Sequence, residues 1–151
     1  MQKYTIGFLF DTYFEKVALI LKKRPVWQVG FYNVPGGHIE EGEESIDCVI
    51  REFKEECGLI TYNEDWKYIG QIINHNNYYV DIFTCMHLPL LHGDLKILTD
   101  EYVKWADLKN LPSNMISNLS WLIPFAENAW RQGNHDNLVN GRFEYKFVNK
   151  E

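Results

Sequence analysis

Three glutamates, Glu52, Glu55 and Glu56, stand at i, i+3 and i+4 in Arg51-Glu52-Phe53-Lys54-Glu55-Glu56-Cys57-Gly58. On an α-helix these positions share one patch. Glu52 and Glu56 set like charges one turn apart, which weakens an isolated helix, so a chain that keeps them uses them elsewhere. The other side of the same segment supplies an anchor. Ile46, Val49, Ile50, Phe53 and Cys57 recur at helical spacing and form a stripe that faces a core. The spacing predicts a helix that begins at Ser45 as N-cap, carries Asp47 in its first turn and ends near Cys57 with Gly58 as a left-handed C-cap. Converging carboxylates call for a divalent cation, and all-oxygen ligands suit Mg²⁺ or Mn²⁺.

Strand-like runs surround that helix. Residues 4–10 and 17–21 read as strands separated by a polar turn at Asp11-Thr12, and 31–37 reads as a loop punctuated by Pro35-Gly36-Gly37. Residues 66–73 and 78–88 read as paired strands joined by Asn74-His75-Asn76-Asn77, and 101–105 as a shorter strand. Residues 119–130 have helical spacing, with Pro124 in the opening turn or kinking the helix, and 142–148 reads as a final strand. This order predicts an α/β fold in which helices flank a mixed sheet, and 151 residues predict a single domain over 1–151. A net charge of −6 argues against general binding to a DNA or RNA duplex, which would need a basic surface. It leaves a small nucleotide substrate open, because a bound cation brings its own positive charge. The three cysteines, Cys48, Cys57 and Cys85, lack metal-ligand spacing and read as reduced thiols of a cytoplasmic protein. Neither a signal-peptide layout nor an apolar run of membrane-spanning length is present.

The glutamates sit inside a longer pattern. Gly37, Glu43, Arg51, Glu52, Phe53, Glu55, Glu56, Gly58 and Leu59 fill every position of G-x5-E-x7-R-E-U-x-E-E-x-G-U, where U is bulky and apolar. That pattern is the Nudix box, and the chain resembles the Nudix hydrolases. The resemblance implies an α/β/α sandwich and an enzyme that hydrolyses a nucleoside diphosphate linked to another group. It implies that Glu52, Glu55 and Glu56 ligate Mg²⁺, with Mn²⁺ as a possible substitute, and that the Gly37 carbonyl joins them. Glu52 or Glu56 would also orient or deprotonate the attacking water. Arg51 would hold neighbouring carboxylates, with Glu43 as its partner or as an outer metal contact. A carboxylate outside the box is common in the family; Glu101 is the candidate, with Asp100 and Asp94 as fallbacks.

Beyond the box, Lys22-Lys23-Arg24 and Gly30-Phe31-Tyr32-Asn33-Val34-Pro35-Gly36-Gly37 are similar to the MutT-type branch, which acts on oxidised purine nucleoside triphosphates. The resemblance makes Asn33 a reader of the base edge, against a turn-forming role. Lys23 becomes a candidate for contact with phosphate or base, against a solvated strand end, His38 for contact with phosphate, and Asn118 for contact with the base or for capping a helix. Trp27, Phe31 and Tyr32 are candidates for stacking a base or anchoring the loop, and Trp121 and Trp130 for the core. His75, His87, His92 and His135 read as surface residues. The chain departs from the branch where animal relatives carry paired aspartates and a stacking tryptophan: Asn118, Leu119 and Ile116 stand there. The marker of coenzyme A hydrolases is absent, and His75 replaces the proline of ADP-ribose hydrolases. Tyr78 and Tyr79 lie near the position of the tyrosine of dinucleoside polyphosphate hydrolases. The expected reaction is Mg²⁺-dependent hydrolysis of a nucleoside triphosphate to monophosphate and pyrophosphate by a monomer or homodimer. The alternatives are cleavage of another conjugate (a nucleotide sugar, dinucleoside polyphosphate or capped RNA) and a non-catalytic binding module.

Overall fold

The computed structural model describes residues 1–74 and 77–132, and the backbone of 141–145. Strands β1 (Gln2–Phe10) and β2 (Lys16–Leu21) are followed by a 3-10 turn at Val26–Gln28 and two short strands, β3 (Tyr32–Asn33) and β4 (Gly36–His38). Helix α1 (Ser45–Cys57) follows, then a 3-10 turn at Asn63–Asp65. Next come β5 (Lys67–Asn74), β6 (Tyr78–Met86), the single-turn helix α2 (Pro89–His92), β7 (Val103–Asp107), α3 (Leu119–Gln132) and β8 (Gly141–Tyr145). The sheet runs β3-β2-β1-β6-β5-β8, with β4 also on β1 and β7 on β2. It is mixed: β1 pairs parallel with β6 and β5 with β8, whereas β1–β2, β1–β4, β2–β7 and β5–β6 are antiparallel.

Alternation along the central strands divides the interior in two, because successive side chains in a strand point to opposite faces. Phe8, Phe10, Val17, Leu19, Ile72 and Ile82 pack with Leu119, Leu122, Ile123, Ala126 and Ala129 of α3. Leu9, Ala18, Ile20, Phe83 and Cys85 pack on the other face with Val49, Phe53 and Cys57 of α1. Each helix therefore covers one face of the sheet. Phe53 is fully buried, and its ring lies 4.7 Å from that of Trp66. Truncating such a residue costs about 3–5 kcal/mol.

Several local expectations need correction. Glu44, not Ser45, is the N-cap of α1: it has an extended backbone, and its carbonyl accepts the Cys48 N–H at 3.0 Å, with no side-chain cap. The other end is as expected, with Gly58 at φ 70° donating to the Lys54 carbonyl. Residues 31–37 are more than a loop, because β3 and β4 form there by pairing with β2 and β1. Pro124 lies in the second turn of α3, where the bond it removes would have gone to the carbonyl of exposed Ser120. Trp121 is not a core residue; it is 38% exposed, off the face that carries Leu122 and Ile123. Trp130 is half-buried, under the Lys67 ammonium at 4.2 Å.

His87 and His92 are buried, not superficial. His92 Nδ1 accepts the Leu88 N–H at 3.0 Å, so Nε2 carries the proton and faces Asp65 Oδ2 at 3.0 Å. His87 Nε2 lies 2.6 Å from the Gly93 carbonyl. The pair pins the loop around α2. The three cysteines are free and buried, and burial pushes the Cys48 thiol up to about 12. Among the described residues, no helix is long and apolar enough to cross a membrane. His75, His135 and residues 146–148 of the expected last strand lie outside the described residues.

Candidate active site

Pairing places the glycine turn against the helix. In the β1–β4 register Thr5 stands opposite Gly37, and Tyr4 opposite His38. This brings Gly36 and Gly37 beside the acidic side of α1. A Cβ on Gly37 would lie 2.2 Å from Glu52 Oε1, and one on Gly36 would lie 2.1 Å from the Thr5 carbonyl oxygen. Gly36 has no room for a side chain against that backbone, whereas a side chain at Gly37 would push the end of Glu52 aside. The Gly36 N–H points at Glu56 Oε1, 3.4 Å away.

Arg51 is the hub of one half of the cluster. Its Nε and Nη2 grip Glu43 at 2.8 and 2.9 Å in a fork-on-fork pair. Nη1 donates to Glu52 at 2.8 Å and to Glu55 at 3.2 Å, while Nη2 also donates to the His38 carbonyl at 3.1 Å. The hydrogen bond from Arg51 is the main reason that the Glu43 carboxyl is held down at about 2; in turn, Glu43 and Glu52 raise the guanidinium above its usual value. Arg51 thus ties Glu43, Glu52 and Glu55 together.

Glu56 belongs to a different environment. It is buried, and its Oε2 has no hydrogen-bond partner. Burial first, then the hydrogen bond and charge of Glu52, push its carboxyl up to about 9. Glu101 adds repulsion, and Lys22 acts in the opposite direction. Glu101 itself is buried, accepts the Lys23 backbone N–H at 2.7 Å and pairs with Lys22 Nζ at 3.3 Å. The loop before β7 thus brings the charge of Glu101 within reach of Glu56. Asp100 points to Arg24 at 2.6 Å on the surface, and Asp94 is exposed.

The donor set suits a hard divalent cation: carboxylate oxygens from two elements, one of them buried and unpartnered, beside a glycine turn. Among the described residues, no three side chains stand ready as a closed ligand set. Arg51 Nη1 instead engages Glu52 and Glu55.

The substrate candidates are distributed unevenly. The Asn33 amide is already engaged: Nδ2 donates to Gln28 Oε1 at 3.0 Å, and Oδ1 accepts the Val34 N–H at 2.8 Å. Gln28, in the turn before β3, was not singled out in the sequence; nothing in its neighbours marks it, and only the fold of the turn brings it to Asn33. Trp27 and Phe31 are 66% and 43% exposed and line a groove of about 280 Å³ with Met115, Ile116 and Ser117. Tyr32 is half-buried under the Lys104 ammonium at 4.7 Å. His38 is exposed, with its ring edge-on to Tyr4, and Lys23 is exposed. The Asn118 carbonyl accepts the Leu122 N–H at 3.0 Å and so opens α3.

The NUDIX domain model matches residues 6–124, which include the whole carboxylate cluster. The chain belongs to the Nudix family. An uncharacterized Nudix hydrolase of Bacillus subtilis, YvcI, is 43% identical over 53 residues, a match that spans 35% of this chain and 31% of that protein. Solved Nudix structures extend the likeness at the level of fold. The MutT Nudix hydrolase of Burkholderia pseudomallei superposes with a TM-score of 0.65 at 18% identity, covering 82% of this chain and 95% of that one. The Nudix domain of Shewanella oneidensis NrtR, solved with ADP ribose, gives 0.67 at 19% identity, covering 83% and 86%. The α/β/α sandwich expected from the sequence is therefore the fold of this Nudix chain.

Proposed function

We propose that this Nudix protein is an enzyme that hydrolyses a nucleoside triphosphate to nucleoside monophosphate and pyrophosphate, with Mg²⁺ as cofactor. The observation that carries the reading is buried Glu56 beside Glu52: its Oε1 faces the Gly36 N–H, and its Oε2 has no partner. A carboxylate isolated from water in this way is costly unless a charge arrives to meet it. Glu52, Glu55, Glu56, Glu101 and the Gly37 carbonyl would hold Mg²⁺, which when bound neutralises phosphate charge and lowers the pKa of a coordinated water. The protein's own groups orient the reaction. Arg51 keeps Glu52 and Glu55 on one side of the helix. Glu52 or Glu56 orients or deprotonates the attacking water in this reading.

At the other end of the site, the Trp27–Phe31–Ile116 groove offers an apolar slot where the relatives' stacking tryptophan is replaced by Ile116. Stacking on Trp27 would hold a base there. Lys23 and His38 are surface groups available to phosphate. Release of pyrophosphate over a panel of nucleoside triphosphates and diphosphate conjugates, with Mg²⁺ and with chelator, tests the reading. Metal-dependent pyrophosphate from triphosphates is the expected result. Cleavage of conjugates alone would overturn the substrate assignment, and the absence of metal-dependent turnover would overturn the enzyme.

A further inference from the structure

Lys22 is out of place by ordinary rules. It directly follows β2, yet its side chain is only 16% exposed, and lysine is seldom buried without a reason. Its Nζ lies 3.3 Å from both oxygens of Glu101, whose own side chain is 8% exposed. The Lys22 charge also reaches Glu56, the buried carboxylate with one oxygen unpartnered. Arg51 serves Glu43, Glu52 and Glu55, whereas the Glu56–Glu101 half has Lys22 as its buried cation. The backbone holds the lysine in position from both sides, through Lys22 N–H to the Phe31 carbonyl at 2.9 Å and the Gly30 N–H to the Lys22 carbonyl at 3.0 Å.

We propose that Lys22 is a tethered counter-cation of the carboxylate cluster: it keeps Glu101 folded in beside Glu56 before the divalent cation binds, and its charge lowers the affinity of the site for that cation. The inference rests on the metal-site reading above. Two like charges in a partly dry site repel strongly, so a fixed ammonium must weaken the binding of an incoming divalent ion. The same ammonium offsets part of the repulsion between Glu56 and Glu101 in the empty site. Lys22 is thus a positioning residue, acting through Glu101 and through the field rather than on the reacting atoms. A lysine that instead gripped substrate phosphate would leave metal affinity alone and raise KM for the nucleotide when removed.

The test is calorimetric titration of wild type, Lys22→Met and Lys22→Arg with Mg²⁺ alone, alongside thermal unfolding with and without Mg²⁺. Lys22→Met is expected to bind Mg²⁺ about tenfold more tightly, the effect of deleting one nearby like charge. It should also melt lower than wild type without metal and recover at saturating Mg²⁺. Lys22→Arg, which keeps the charge, should resemble wild type in affinity. Equal or weaker Mg²⁺ binding by Lys22→Met overturns the proposal, as does a Lys22→Met protein that stays unfolded at saturating Mg²⁺, because the ion would then not replace the ammonium. Wild type that binds no Mg²⁺ would sink the metal-site reading itself, an outcome distinct from equal binding by both proteins.

Discussion

The two halves of the acidic cluster share one helix and one residue type, yet differ in almost every physical respect. On the Arg51 side, Glu43, Glu52 and Glu55 have a common donor at 2.8–3.2 Å, and Glu43 is held ionised well into acid. On the Glu56 side, a buried carboxyl has an empty oxygen and is driven toward its protonated form. The first half is hydrogen-bonded throughout, and the second is under-satisfied. Glutamates of one motif thus differ in environment through the placement of a single arginine and through burial.

Substitutions can break this contrast. The largest effect is expected from Glu56→Gln, which removes the reactive carboxylate but keeps its shape. Turnover should fall by about two orders of magnitude or more, while the thermal midpoint stays at or above the wild-type value. Near-wild-type rates in a pyrophosphate-release assay would place the chemistry elsewhere. Arg51→Ala should act on the other half, releasing three carboxylates at once, and cost about 2–3 kcal/mol in denaturant unfolding. A loss of activity without loss of stability would instead make Arg51 a substrate contact.

Acid should distinguish the halves as well. The folded-state pKa of Glu43 lies below its ordinary value, so its pair with Arg51 stabilises fully above about pH 4.5 and is lost as pH falls toward about 2. Glu43→Gln should therefore lower the melting temperature at neutral pH and flatten its decline between those values. A decline as steep as that of wild type would mean that other carboxylates govern acid unfolding. The smallest effect is expected at the amide pair: Gln28→Ala should alter the ranking of bases by only a few-fold, through a freed Asn33, with little change in maximal rate. An unchanged ranking in competition assays would reduce Asn33 to a turn residue.

The site was partly legible in advance because its logic is local. Spacings of three and four residues put Glu52, Glu55 and Glu56 on one side of α1, opposite Val49, Phe53 and Cys57, whatever the rest of the chain does. Gly58 could be recognised as a C-cap for the same reason. Glu44 displaced Ser45 as N-cap although serine has the stronger preference, because the cap is set by where the chain enters the helix. His87 and His92 were misread because burial depends on the loop around α2 closing over them.

The residue pattern by itself determined the family, the acidic helix face and the alternating strands whose two sides make two cores. These follow from periodicity and from chemistry carried within a few residues. Tertiary structure alone decided that Glu56 is buried and Glu55 is not, that Lys22 turns inward to Glu101 across 79 positions, and that Gln28 holds Asn33. Solvent access and long-range charge pairing depend on which elements close over a side chain, and no short stretch of sequence contains that information.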